Sequence, residues 1–297
     1  MHFILRTLPR IAAGIAIGLS AATAVAFAEP RFAQLEKAVA QVESQLGARV
    51  GLAMVDTGTG VTWFHRKDER FLMNSTFKAP LCGAVLARVD AGDISLSDVL
   101  RIEKADLMHH APVTEKNVGK DMTIEALCRA AVDMSDNPAA NILLHHIGGP
   151  SAMTGYFRSI GDSVSRMDDP EPQLNTFIPG NPRNTTSPAA MAQTLHALLL
   201  GDVLSPASRD LLADWMSHGG VTGNLMRAAA PRSWQILDKS GAGSHSRNLI
   251  AMVTPEGRAP WIVTIFISDV KAPFETRNAA LQSLGRVAIS AIGTSGN

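Results

Sequence analysis

The sequence carries no excess of charge of either sign, with 27 Lys+Arg against 27 Asp+Glu. Nucleic-acid partners need a basic surface, so composition argues against them. Aromatic residues make up only 5% of the chain, too few for a base-stacking platform. No His-Glu-x-x-His run and no Cys–His set at ligand spacing occurs. The adjacent pairs His109-His110 and His145-His146 diverge on a helix surface and do not chelate together. No metal and no cofactor is therefore expected. There are two cysteines, Cys82 and Cys128, so the chain can form one internal disulfide and no disulfide framework. Internal repeats and low-complexity tracts are also missing.

What is present is a globular composition. The 297 residues are 46% hydrophobic and 18% charged, enough apolar side chain for one large core or two joined ones. Residues 1–28 stand apart. Arg6 and Arg10 precede a short apolar stretch, Ile11 to Phe27, and Ala26-Phe27-Ala28 fits a small-x-small cleavage site. The stretch is short for a membrane span, so a removable signal peptide is expected, with export to the periplasm and no stable membrane association afterwards. The leader contains two basic residues and no acids, which leaves 25 basic and 27 acidic residues, a net charge of −2. An oxidising compartment permits the Cys82–Cys128 disulfide, and that bond is expected.

Periodicity supplies the fold. Phe32, Leu35, Val39, Val42 and Leu46 mark an amphipathic helix that Gly47 can stop. Arg49–Asp56 and Val61–His65 read as strands around the turn Thr57-Gly58-Thr59-Gly60. A helix carrying Leu81, Ala84, Val85 and Val89 follows. Thr123–Ala131, Asn137–His146, Ser187–Leu200 and Pro206–Trp215 read as helices, three of them with proline in or beside the first turn. Between them, Ser165–Ser187 is a long proline-punctuated loop, a length that usually signals function. Trp234–Ser240, Arg247–Thr254 and Trp261–Ser268 are strands, and Pro273–Ile292 is a closing helix. The expected class is α/β (α+β): a five-stranded antiparallel sheet flanked by N- and C-terminal helices, plus a mostly helical lobe. Residues 29–66 and 216–297 would build the first lobe and 67–215 the second, as one discontinuous catalytic unit with its active site in the cleft between them.

Three short runs carry chemistry. Ser75-Thr76-Phe77-Lys78 opens a helix. A serine in a first turn lies beside backbone N–H groups without intrahelical acceptors, and a lysine three residues on shares its face. A serine hydroxyl needs such a base, and donors for the oxyanion, to attack a carbonyl. Ser135-Asp136-Asn137 stands just before a helix, and Lys239-Ser240-Gly241 ends a strand. Singly, each is more often a cap or a turn. In this order and spacing they form a trio known from class A β-lactamases and penicillin-binding proteins.

With Glu171-Pro172-x-Leu174-Asn175 added, and with linking stretches such as Pro112–Lys116 and Ala139-Ala140-Asn141, the chain closely resembles the class A serine β-lactamases over nearly its whole mature length. The resemblance implies the following roles. Ser75 attacks the β-lactam carbonyl and is acylated. Lys78 hydrogen-bonds Ser75 and shares the role of base, and Ser135 passes a proton to the lactam nitrogen. Glu171, with Asn175, activates the water that releases the acyl group. Asn137 binds the substrate's amide side chain. Lys239 and Ser240 bind its carboxylate, and Gly241 leads into Ala242, whose N–H joins that of Ser75 in an oxyanion hole. Arg247 is expected to assist with the carboxylate if the Ser244-His245-Ser246 turn is one residue shorter than in relatives. The implied protein is a monomer whose partner is a small-molecule β-lactam. It hydrolyses penicillins and some cephalosporins through a serine acyl-enzyme and so confers resistance.

Departures from the family pattern are visible too. His110 stands where many members have a tyrosine at the cleft mouth. Asp169 and Asn184 occupy the places of a common arginine–aspartate pair, so only a hydrogen bond is expected there. Pro80 falls within the nucleophile helix, where it removes a backbone donor. Asn74 and Gly243 replace the extra cysteine pair of class A carbapenemases. A DD-peptidase shares the nucleophile chemistry, but Glu171 with Asn175 argues against that alternative. A non-catalytic β-lactam sensor would keep a membrane segment and a signalling region after the leader.

Overall fold

The computed structural model describes residues 30–294. The expected signal peptide, residues 1–28, lies outside the described residues. The chain begins with α1 (Ala33–Leu46), β1 (Arg49–Asp56), β2 (Thr62–His65) and β3 (Phe71–Leu72). A 3₁₀ turn at Asn74–Phe77 leads into α2 (Lys78–Asp90). Then come β4 (Val99–Arg101), β5 (Asp121–Thr123), α3 (Ile124–Val132), α4 (Asn137–His146) and α5 (Gly149–Ser159). The long loop contains β6 (Thr185–Thr186) and is followed by α6 (Pro188–Leu199) and α7 (Pro206–Ser217). The chain closes with β7 (Gln235–Ala242), β8 (Arg247–Thr254), β9 (Trp261–Ser268) and α8 (Phe274–Gly293).

Local chemistry explains most of these bounds. Gly47 takes the left-handed conformation (φ 59°) that ends α1. The side chains of Thr123, Asp136, Ser187 and Ser205 accept N–H bonds at the starts of α3, α4, α6 and α7. The main sheet has five strands in the order β2-β1-β9-β8-β7, every neighbouring pair antiparallel. Side chains alternate across it. Leu249, Ala251 and Val253 of β8 join Leu35 and Val39 of α1 and Leu281 and Leu284 of α8 in one apolar cluster. Ile250 and Met252 face the other way, into a cluster with Leu81 and Val85 of α2, Leu127 of α3 and Leu195 of α6. The sheet is thus a wall with terminal helices on one side and the helical block on the other.

Several details differ from the sequence-based expectations. α5 was not foreseen, because its apolar residues are few; only Met153 and Phe157 are buried. The two-residue pairing of β3 with β6 ties the long loop back to the segment before Ser75. Helix α2 proper starts at Lys78, not at Ser75, so Pro80 falls in its first turn, where N–H groups lack acceptors within the helix. The expected disulfide is not formed: Cys82 and Cys128 are buried free thiols. Cys82 Sγ donates to the Cys128 carbonyl oxygen at 3.7 Å. Burial pushes the Cys128 thiol well above its ordinary pKa, with the hydrogen bond to Cys82 adding to the effect. Oxidation proceeds through thiolate, which this setting suppresses.

Gly51 of β1 is where the sheet meets the approach to Ser75. A Cβ there would lie 2.4 Å from Phe71 Cε2 and 2.7 Å from Pro188 Cγ. Phe71 cannot withdraw freely, since its ring packs 5.8 Å from that of Phe266. Gly51→Ala is therefore expected to destabilise by about 1–3 kcal/mol through overpacking. A thermal melt should show Tm lowered by several degrees; an unchanged Tm would mean that Phe71 and Pro188 have room to move.

Candidate active site

The three motif runs and the long loop converge on one cavity of about 440 Å³. Ser75, Ser135, Asn137, Glu171, Asn175, Ser240, Gly241, Ala242, Arg247 and His110 all line it. Lys78 and Lys239 lie immediately behind, both fully buried. The lining also contains His109, Val221 and Phe274, none of which the sequence had marked as site residues.

Each side chain is held by a definable device. Asp136 is buried and accepts from Ala139 N (3.0 Å), Val113 N (3.0 Å), Thr114 N (2.9 Å) and Thr114 Oγ1 (2.8 Å). One carboxylate thereby caps α4 and ties it to the 113–114 segment. Its neighbours Ser135 and Asn137 are fixed as a result. Ser135 adopts a positive φ of 57°, uncommon for a residue with a side chain. Asn137 N donates to His110 O at 3.0 Å, and its side-chain amide donates to His109 O at 2.9 Å. His110 itself has φ 62°, and its Nε2 lies 3.0 Å from Met134 O.

Lys78 donates to Ser135 O (2.7 Å) and Asn137 Oδ1 (2.5 Å), and its ammonium lies 3.4 Å from Glu171 Oε1. Burial disfavours the charged amine and lowers its pKa to about 8, even though Glu171 pulls the other way. The serine hydroxyl goes elsewhere than expected. Ser75 Oγ donates to Glu171 Oε1 at 3.3 Å, so serine and lysine meet at one carboxylate oxygen instead of bonding each other. Lys239 Nζ donates to Ser135 Oγ at 3.0 Å and to Ser240 O at 2.8 Å. Burial holds it well below the usual lysine range, and the like charges of Lys78 and Arg247 add to that.

Glu171 is gripped on every side. Asn175 Nδ2 donates to Oε2 at 2.6 Å. Asn141 closes a two-point clamp on the glutamate backbone, with Glu171 N donating to Asn141 Oδ1 (2.9 Å) and Asn141 Nδ2 donating to Glu171 O (2.8 Å). The Glu171-Pro172 peptide bond is cis. Asn141 had been read only as part of a similar stretch; its position one turn along from Asn137 was the available signal. Asn74 is a second unmarked hub: it donates to Asn175 Oδ1 (2.8 Å) and accepts from Ser246 Oγ (2.7 Å) and Asn248 Nδ2 (2.9 Å). On β7, a Cβ added at Gly241 would lie 2.9 Å from Met73 O and 3.1 Å from Ser75 N, so only glycine lets that strand approach the serine so closely.

Arg247 pairs in register with Ala242 across the β7–β8 turn. Its Nε donates to Asn278 Oδ1 and its Nη1 to Gly241 O, both at 3.0 Å. Burial, then the nearby Arg277, lower its pKa to about 10.

The base of the long loop requires a correction. Asn184 does donate to Asp169 Oδ2 at 2.8 Å. Yet an ion pair is also present, because Arg183 reaches the same carboxylate at 2.6 Å, and Arg166 pairs with Asp168 at 2.5 Å. Arg183 above all, with Asn184, holds the Asp169 carboxyl below its ordinary pKa. Only two positions had been weighed, and the neighbour supplied the charge. Asn184 Oδ1 additionally accepts from Asp168 N (2.8 Å) and Asp169 N (2.9 Å). Asn184→Ala strands those donors and should cost about 1–3 kcal/mol. Limited proteolysis within residues 165–187 should accelerate and Tm should fall; wild-type values for both would show that the staple is redundant.

Comparison with known proteins follows the same lines. Residues 34–292 match the model of a β-lactamase enzyme family. A β-lactamase of Rhodobacter capsulatus is 60% identical over 292 residues, 98% of this chain and 99% of that one. β-Lactamase AER-1 of Aeromonas hydrophila is 42% identical, covering 94% of this chain and 93% of its own. Among solved structures, a β-lactamase from Xanthomonas campestris aligns with a TM-score of 0.85 at 42% identity, over 88% of this chain and 98% of that one. A class A β-lactamase representing the last common ancestor of Gram-negative bacteria aligns with a TM-score of 0.85 at 48% identity, over 88% and 100%.

Proposed function

Because the chain belongs to the β-lactamase enzyme family, as a class A serine β-lactamase that hydrolyses the β-lactam amide, we propose that it acts on penicillins first and on some cephalosporins, through an acyl-enzyme on Ser75. The observation that carries this reading is the meeting of Ser75 Oγ and Lys78 Nζ at Glu171 Oε1, 3.3 and 3.4 Å away.

Acylation needs a proton acceptor for Ser75; Glu171 accepts from its hydroxyl, and Lys78 sits at the same carboxylate oxygen. Ser135 carries a proton to the lactam nitrogen, its hydroxyl accepting from Lys239 Nζ at 3.0 Å. The N–H groups of Ser75 and Ala242 serve the oxyanion. Lys239, Ser240 and Arg247 take the substrate carboxylate, and Asn137 takes the amide side chain. Deacylation needs an activated water. Glu171 is the carboxylate at the serine, and Asn175 orients both it and the water. The Glu171–Asn175 pair favours hydrolysis over the slow deacylation of a DD-peptidase. The protein is read as a periplasmic monomer after removal of residues 1–28, and resistance follows from turnover there. Carbapenems are poor substrates in this reading. Asn74 and Gly243 stand in place of a second cysteine pair, and a Cβ at Gly243 would come 2.7 Å from Asn74 Nδ2.

Glu171→Ala is expected to give a burst of about one product per enzyme and then near-arrest, because general-base help is worth roughly 10²–10⁴-fold. A penicilloyl adduct on Ser75 should be seen by mass spectrometry. Steady turnover without adduct would overturn the mechanism.

Lys78 yields a pH prediction. An amine of pKa about 8 is neutral in about a tenth of molecules at pH 7 and about nine tenths at pH 9. In Glu171→Gln, where the lysine is the remaining base and has lost the carboxylate charge that raises its pKa, single-turnover acylation should rise with pH and half-saturate below 8. A flat profile would remove Lys78 from that role. The sign for stability follows from the same shift. The folded pKa lies below the unfolded one, so the unfolded chain binds the extra proton between about pH 8 and 10.5, and this group's contribution to stability rises with pH across that window.

A further inference from the structure

Phe274 is the first residue of α8 and keeps 45% of its surface exposed. A single exposed apolar residue is ordinary on a protein surface. This one stands in the wall of the cavity that holds Ser75, on the side of Arg247. Its ring lies 5.3 Å from the Arg247 guanidinium carbon. Asn278, one turn along the same face of α8, accepts from Arg247 Nε at 3.0 Å. With Nη1 turned to Gly241 O, these contacts engage Nε, Nη1 and one face of the guanidinium. The apolar ring and the anion-binding group are therefore side by side at one end of the cleft.

This inference rests on the reading that Arg247, Lys239 and Ser240 take the substrate carboxylate. In a β-lactam the carboxylate hangs from the fused ring. In a cephalosporin the next ring carbon carries a substituent that varies from a methyl group to a heteroaromatic thiomethyl group. A penicillin has two compact methyl groups there. A substrate anchored by its carboxylate at Arg247 brings that neighbouring group to the rim that Phe274 forms. We propose that Phe274 is a specificity-determining residue, an apolar platform for flat substituents beside the β-lactam carboxylate. Arg247 on one face of the ring leaves the rest of it available to the substrate. Because α8 is packed on the sheet by Leu281, Leu284 and Ala288, the platform is pre-positioned.

The test measures kcat/KM of wild type, Phe274→Ala, Phe274→Tyr and Arg247→Ala for three substrates: benzylpenicillin, a cephalosporin with methyl at the ring carbon next to the carboxylate, and one with a heteroaromatic thiomethyl group there. Aromatic contacts of this kind are worth about 2- to 10-fold. Phe274→Ala should lower the heteroaromatic-to-methyl ratio of kcat/KM by that factor, and Phe274→Tyr should restore it. An unchanged ratio, or an equal loss on all three substrates, would overturn the platform, the latter by showing that the ring serves only to orient Arg247. Arg247→Ala separates the two levels. A raised KM on all three substrates keeps the carboxylate reading whatever Phe274 does, whereas an unchanged KM removes that reading and the platform with it. Thermal melts of each variant exclude a folding defect as the cause.

Discussion

Two buried lysines set the terms for this molecule. Lys78 and Lys239 have no exposed surface, and an isolated buried ammonium is severely penalised. Their cost is offset only where oxygen atoms are brought to them. Those oxygens come from distant parts of the chain: the Ser135 carbonyl and Asn137 side chain at the start of α4, Glu171 on the long loop, and Ser135 Oγ across the cleft. The helical block, the loop and the sheet must be assembled together before either charge is satisfied. Removing one partner of such a buried pair typically costs about 3–5 kcal/mol, far more than the pair itself contributes. The site is thus both a demand on the fold and a reason for its uniqueness.

Asparagine amides do much of the fastening. An amide carries both donors and acceptors, so one side chain can bridge two backbones without adding charge. Asn141 grips both backbone groups of Glu171, Asn74 joins the loop to the β7–β8 turn, and Asn184 closes the loop's base. A charged group at Asn141, which touches the Glu171 backbone, would add to the charge around the buried Lys78–Glu171 pair. Where charge is used, at Arg183–Asp169 and Arg166–Asp168, the arginines are largely exposed, and such pairs contribute little to stability. The amide staple at Asn184 therefore carries more of the loop's order than the ion pairs beside it.

What the sequence made legible was what local physics encodes. Alternating or continuous apolar strands such as Arg49–Asp56 and Trp261–Ser268, and helices opened by Thr123, Ser187 or the Asp136-Asn137-Pro138 run, were readable because caps, prolines and periodicity act within a few residues. The motif runs were readable because chemistry demands their residue types. Illegible were features made by long-range contact. Nothing in Asn141 or Asn74 announces a hub, since their partners lie 30 or more residues away. Helix α5 hid because little of it is buried, and Cys82 and Cys128 looked like a disulfide because neighbouring helices and an expected oxidising destination fit either state. Phe274 was taken as one more helix residue, for a sequence does not show that α8 begins at the rim of the cleft.

The electrostatics of the site point to the sign of its ligand. Lys239 is disfavoured as a cation by burial and then by Lys78 and Arg247, and Arg247 by burial and then by Arg277. Four cations are thus crowded around one end of the cleft, while the two carboxylates that act on Lys239 are already committed, Asp238 to Arg227 and Thr222 and Glu171 to Ser75, Lys78 and Asn175. Such crowding weakens the folded state and would be lost readily if stability were all that mattered. An anion placed between Lys239 and Arg247 reverses the balance, because it attracts both and is partly shielded from water by the cavity walls. Binding must then raise the pKa of each cation, and by linkage protonation must tighten binding. On the proposed reading, the burial and like charge that disfavour these two cations are what a substrate carboxylate would relieve, so their strain and an affinity for an anion would be two consequences of one arrangement of charge.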